Sequence, residues 1–181
     1  SPLSSSSAAS DVYKRQDIGS LYDEGVSYKE VDLKDDTFDT EAILETITEK
    51  TKVIGIQRSR GYSLRASTTI DEIEKVCRTI KERYPGVIIF VDNCYGEFVE
   101  DREPLEAGAD IIAGSLIKNP GGGLAKMGGY IAGRRDLVER VSYRLTVPGI
   151  GKEMGASLNA LGDMFQGFYL SLIHISEPTR Q

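Results

Sequence analysis

Asp92, Ser115 and Lys118 are the residues whose types and spacing invite chemistry. Apolar runs over 87–91 and 109–113 read as buried parallel strands, with Asp92 directly after the first and Ser115 and Lys118 shortly after the second. The segment between the runs is long enough for a parallel crossover, which needs about a dozen residues. Ligands of open α/β sheets gather outside the carboxyl ends of the strands, so the acid and the lysine are expected to converge on one crevice. A lysine in a partly desolvated crevice is expected to have a lowered pKa and to attack carbonyls. A carboxylate opposite it can keep a pyridine nitrogen protonated. Schiff-base lysine plus carboxylate is the pair that pyridoxal phosphate asks of a protein, and Ser115 is placed to donate to the cofactor phosphate. Asn119-Pro120-Gly121-Gly122-Gly123 follows the lysine. Proline stops a helix from forming there, and the glycines let backbone approach a ligand closely.

Plainer readings stand beside these. A lysine after a strand is by default solvated, and an aspartate there is by default a turn residue. Lys126, just beyond the glycine run, competes with Lys118. Cys94 reads as a small packing residue, and Tyr62 and Tyr95 read as rim packing. Ser115 and Lys118 also form S-x-x-K, but the S-D-N and K-T-G partners of the acylating enzymes are absent and Pro120 follows at once. The glycine run is no phosphate-binding P-loop either, since its lysine precedes the glycines. No histidine and cysteine spacing suggests a metal site.

The elements that must position these residues alternate along the chain. The stretch 27–33 reads as a short strand, and Asp39 can cap a helix carrying Ala42, Ile43 and Ile47. A buried strand over 52–57 ends in the polar loop RSRGYS, which contains Arg60 and Tyr62. Thr69 and Glu72 have capping-box spacing, and Ile70, Ile73, Val76, Cys77 and Ile80 recur at helical spacing up to Pro85-Gly86. GGYIAG, over 128–133, is a strand reached through a loop too short for a helical crossover, so it must run antiparallel to the lysine strand. A helix follows over 135–145, then the loop PGIGKEMG over 148–155. A last helix starts near Ser157, and its Phe165 and Phe168 face is core or subunit interface. This pattern predicts an α/β fold, a mostly parallel sheet with helices on both faces.

Composition narrows the function classes. The chain has 181 residues, enough for one domain or part of a larger one, and 40% hydrophobic content supports a core. A net charge of −6 without a basic cluster argues against nucleic-acid partners. Two cysteines make no disulfide framework; a reduced, buried Cys77 and a cytoplasmic setting fit. No apolar run is long enough to span a membrane, and the serine-rich start, without a basic region and a long apolar core, does not read as a signal peptide. Residues 1–16 and 171–181 carry DVYKRQ and SLIHISEPTRQ, which resemble translated adapter read-through. Both are read as non-native tails flanking one partial domain over 17–170. His174, the sole histidine, lies in the second tail and is assigned no chemistry.

VDNCYGEFVE, GADIIAGSLIKNPGGG and GGYIAG, with IQRSRGYS and PGIGKEMGASL, resemble the aluminium-resistance family of pyridoxal-phosphate proteins. These are relatives of methionine gamma-lyase and cystathionine beta-lyase. The resemblance covers about 17–170. It implies the fold-type-I large domain, with Lys118 as the internal-aldimine lysine, Asp92 on the pyridine nitrogen and Ser115 on the phosphate. Arg60 and Tyr62 are implied lesser cofactor contacts, and for Arg60 a plain surface cation is an equal reading. The implied activity is a carbon-sulfur lyase acting on a small sulfur-containing amino acid. The intact protein is expected to be a homodimer or homotetramer. The N-terminal cofactor contacts and the C-terminal carboxylate-binding domain of that family fall outside this sequence. The alternatives are an aminotransferase or aldolase with the same cofactor, or a catalytically incomplete cofactor-binding fragment.

Overall fold

The computed structural model describes residues 24–61, 63–145, 149–150 and 160–176. Two short strands, β1 (Leu33–Lys34) and β2 (Thr37–Phe38), form a hairpin. The expected strand over 27–33 is not there. Asp35 and Asp36 both take positive φ, 51° and 61°, and close a tight two-residue hairpin turn that moves the pairing to Leu33. Helix α1 (Thr40–Thr46) is capped by Asp39, whose carboxylate accepts from the Ala42 amide at 3.0 Å.

The main sheet has four strands in the order β3 (Val53–Gln57), β4 (Ile88–Asp92), β5 (Ile111–Ser115) and β6 (Gly129–Gly133). The first two pairings are parallel and the last is antiparallel, as the short glycine loop requires. Strand β5 lies two residues later than its apolar run suggests. Asp110 is turned back to accept from the Ile89 amide at 2.8 Å, while Gly114 and Ser115 pair with Tyr130 and Gly129 of β6. The crossover between β4 and β5 is made of turns rather than a helix.

Helix α2 (Ile70–Arg83) opens with the full capping box between Thr69 and Glu72. Its buried stripe is Ile70, Ile73, Val76, Cys77 and Ile80. That stripe joins Ile56, Ile89, Val91 and Ile112 of the sheet in one apolar core. Each such side chain contributes roughly 1.5–3 kcal/mol of transfer free energy. The core therefore fixes β3, β4 and β5 in register, and with them the edge where the strands end. Helix α3 (Arg135–Leu145) follows β6, and α4 (Ala160–Ser176) contacts the loop after β5. Phe168 of α4 is half-buried, but Leu161 and Phe165 are exposed, so the expected apolar face is only partly covered among the described residues. No described helix is long and apolar enough to cross a membrane.

Candidate active site

The carboxyl ends of β3, β4 and β5 lie side by side. Gln57 is paired with Asp92, and Asp92 with Ala113, two residues before Ser115. Parallel pairing continues past the strands: the Arg58 amide donates to Asp92 O at 3.0 Å and the Asn93 amide to Ala113 O at 2.8 Å. Asp92 and Ser115 are thus carried to one edge by the ladder itself, and Lys118 follows in the turn after β5.

Asp92 is half-buried, and its Oδ1 accepts from the Cys94 amide at 3.0 Å. This is an Asx turn, so the plain turn role of the aspartate is real as well. The turn over Cys94 and Tyr95 touches both groups, the Cys94 amide meeting the acid and the Tyr95 ring facing the lysine. Cys94 is half-buried; burial pushes its thiol up, with Asp92 acting in the same direction and Lys118 against it. It is a neutral thiol at neutral pH. Lys118 Nζ lies 4.3 Å from the centroid of the Tyr95 ring.

The charge state of Lys118 corrects the sequence expectation. Burial, the largest influence, works to lower its pKa, but the Cys94 hydrogen bond and the charges of Cys94, Tyr95 and Asp92 outweigh it, and the ammonium is held above the ordinary lysine range. At pH 7 the Cys94 thiol is neutral and Lys118 is an ammonium. Pro120 does not abolish helical structure either. A single 3₁₀ turn spans Asn119–Gly121, compatible with a proline in a first turn. Gly122 and Gly123 follow with φ of 55° and 77°, which only glycine adopts freely.

Ser115 ends β5, half-buried. Its amide donates to Glu97 Oε1 at 3.0 Å, and its hydroxyl makes no hydrogen bond to the described residues. Arg60 is exposed in the loop after β3, and Lys126 is exposed beyond the glycine run. Tyr62 and most of the loop over 148–155 lie outside the described residues, as do the expected tail over 1–16 and residues 177–181.

Sequence reasoning missed Arg58, which it read as the start of a polar loop. The residue is only 3% exposed. It donates to Asn93 Oδ1 and Gly96 O, both at 2.8 Å, and to Glu100 Oε1 at 2.8 Å. Fully buried Asn93 donates in turn to Glu103 Oε2 and to the Tyr130 hydroxyl, both at 2.9 Å. Glu97 is buried beside Tyr130, and its Oε2 has no hydrogen-bond partner among the described residues. A Cβ on Gly114 would strike both Glu97 Oε1 and the Tyr130 ring. This polar layer forms the floor beneath the strand ends. A separate surface cavity of about 350 Å³, lined by Ile70, Asp71 and residues 99–102, contains none of the chemistry-bearing residues.

Comparison with known proteins places this edge in a family. The sequence pattern of methionine gamma-lyase matches residues 11–180. YnbB of Bacillus subtilis is 56% identical over 166 residues, covering 91% of this chain and 39% of YnbB. A solved Listeria monocytogenes protein, described as a candidate cystathionine beta-lyase involved in aluminum resistance, superposes with a TM-score of 0.84 at 54% identity. That match covers 93% of this chain and 42% of the other. A carbon-sulfur lyase involved in aluminum resistance from Clostridium novyi gives a TM-score of 0.79 at 44% identity, covering 89% and 38%. The chain thus spans about two fifths of the length of these relatives. Its α/β sheet, three parallel strands and one antiparallel, is that of the fold-type-I large domain. The chain belongs to the methionine gamma-lyase family.

Proposed function

We propose that this chain is the cofactor-binding part of a pyridoxal-phosphate-dependent carbon-sulfur lyase that acts on a sulfur-containing amino acid. The observation that carries the reading is the placing of Asp92 and Lys118 on one turn: the Cys94 amide donates to Asp92 Oδ1 at 3.0 Å, and Lys118 Nζ lies 4.3 Å from the centroid of the neighbouring Tyr95 ring. The donor set suits the cofactor: a primary amine, a carboxylate near it, and, at the end of the strand before the amine, a serine hydroxyl with no hydrogen bond to the described residues. Lys118 would hold the cofactor through its ε-amine, Asp92 would meet the pyridine nitrogen, and Ser115 would donate to the phosphate. Pyridoxal phosphate, when bound, supplies an electron sink for negative charge at the substrate α-carbon.

The chain's own residues then have definite tasks. Lys118 Nζ, as the neutral amine, takes the α-proton of the amino acid. Asp92 stands beside the turn that faces Lys118, where its carboxylate would hold a pyridine nitrogen protonated. Breakage of the carbon–sulfur bond releases a thiol, in keeping with the carbon-sulfur lyase from Clostridium novyi.

The test adds pyridoxal phosphate to the full chain, reduces with borohydride and maps the modified lysine by mass spectrometry, with circular dichroism on the same sample. Selective label on Lys118 is expected. A folded sample labelled at Lys126 or at scattered surface lysines overturns the assignment.

A further inference from the structure

The turn after Asp92 is held in an unusual conformation. Tyr95 has a φ of 68°, in the left-handed region that costs a bulky residue free energy. Arg58 holds it there. Its guanidinium bonds Asn93 Oδ1 on one side of Tyr95 and Gly96 O on the other, both at 2.8 Å. The Gly96 amide closes the turn onto Asn93 O at 2.8 Å. A Cβ on Gly96 would collide with the Arg58 side chain and with Asn93 Oδ1, so the turn is packed directly against the buried cation. The outcome is a tyrosine ring, 53% exposed, with Lys118 Nζ 4.3 Å from its centroid. The negative face of an aromatic ring attracts an ammonium and not a neutral amine.

We propose that Tyr95 is a positioning residue for Lys118, its ring face receiving the ε-ammonium and favouring the protonated over the neutral amine. The inference rests on the reading of Lys118 as the reacting amine. When Lys118 takes the substrate's α-proton, the C–H bond breaks, its electron pair stays on carbon, and an N–H bond forms at Nζ. The ammonium so formed lies where the Tyr95 ring stabilises it, and the electron pair left on carbon is the charge for which the bound cofactor would supply the sink. Among the described residues, three groups bear on Lys118: Tyr95, the Cys94 thiol and the Asp92 carboxylate. Only the ring gives a preference for charge that survives neutralisation of Asp92.

The experiment uses the full chain without cofactor. Lysines are labelled competitively with acetic anhydride from pH 7 to pH 11, and the titration midpoints of Lys118 and Lys126 are read by mass spectrometry. Three forms are compared with the parent: Tyr95→Phe, which keeps the ring; Tyr95→Asn, which suits positive φ but lacks a ring; and pentafluorophenylalanine at position 95, which keeps the shape and reverses the charge of the face. The Lys118 midpoint is expected to fall by about half a unit in the last two, roughly a threefold rise in free amine at pH 8. It falls less in Tyr95→Phe, where only the charge of the ionised phenol is lost, and the Lys126 midpoint stays put throughout. The fluorinated form carries the test if Tyr95→Asn does not fold. An unmoved Lys118 midpoint, an equal shift in Tyr95→Phe, or a uniform change in labelling rate at every pH overturns the proposal. A shifted midpoint together with failed borohydride trapping at Lys118 overturns the catalytic reading and keeps the ring–ammonium contact. Trapping at Lys118 with an unmoved midpoint removes the role of Tyr95 alone.

Discussion

Arg58 Nη1 and Asn93 Oδ1 lie 2.8 Å apart, although 35 positions separate them in the chain, and their residues are 3% and 0% exposed. This one hydrogen bond ties the end of β3 to the end of β4. Through Asn93 Nδ2 it reaches Tyr130 on β6. The edge that carries Asp92 and Lys118 is therefore braced by a buried polar layer as well as by the ladder.

Replacing Arg58 by methionine should strip three acceptors of their donor while keeping most of the volume. Breaking a buried charged network by removing one partner costs about 3 kcal/mol or more. Glu100 and Glu103 are partly exposed and can turn to water, which places the expected loss near the low end of that range. The urea midpoint of the full chain measures it. Arg58→Lys should recover little, because one ammonium cannot reproduce the planar fork. A midpoint unchanged in Arg58→Met would show that the network bears no stability.

Gly167 of α4 packs backbone to backbone on the loop that carries Lys118. A Cβ there would run into Gly121 O, and one on Gly122 would run into Gly167 O. Both contacts are with main chain, which cannot swing aside. Gly167→Ala should cost about 1–3 kcal/mol. It should also raise protease sensitivity within residues 116–128, the segment α4 covers. Equal sensitivity in mutant and parent would mean that α4 does not seat the loop.

Stability should fall on the alkaline side. Burial, aided by the Asp110 charge and opposed by Lys81, pushes the Cys77 thiol from 9.0 up to about 11. Burial likewise pushes the Tyr130 hydroxyl from 10.0 up to about 12, against the Asn93 hydrogen bond and with the charges of Glu97 and Glu103. Both groups keep their protons longer when folded. Their contribution is complete below pH 9 and is lost as pH rises toward 11 and 12. For Cys77, which is 1% exposed, the loss is about 2 kcal/mol. Urea midpoints taken from pH 8 to pH 11 should decline, and Cys77→Ala should flatten that decline whatever it does to stability at pH 8. On the same grounds Ellman's reagent should reach Cys94 in the folded chain and Cys77 only after unfolding.

Asp110 governs the acid side. Burial works to raise its pKa, but Lys81, the Ile89 amide and Arg134 together hold the carboxyl below its ordinary value. Lys81 Nζ is 2.6 Å and Arg134 Nη1 3.3 Å away. A depressed carboxylate contributes stability that is present above its unfolded pKa and lost as pH falls through the folded one. Asp110→Asn should therefore destabilise the chain at pH 7 by about 2 kcal/mol. The difference should close as pH falls through the depressed pKa of the folded carboxyl, where the parent is protonated too. A gap that stays constant with pH would assign the loss to packing rather than charge.

Much of the frame is legible in the sequence because its signals are local. The apolar stripe of α2, the capping box at Thr69 and Glu72, the Asp39 cap and the antiparallel return of β6 all depend on residues a few positions apart or on the length of a loop. Asp92, Ser115 and Lys118 could be placed at one sheet edge from strand period and crossover length alone. What the tertiary structure decided involves residues far apart in the chain. Arg58 looks like any loop cation until Asn93 and Gly96 close over it. Gly167 looks like a helix defect until Gly121 lies against it. The charge of Lys118 could not be read from its neighbours in sequence, because burial and the opposing partners Cys94, Tyr95 and Asp92 pull in opposite directions. Their balance depends on distances that only the packed strand ends set.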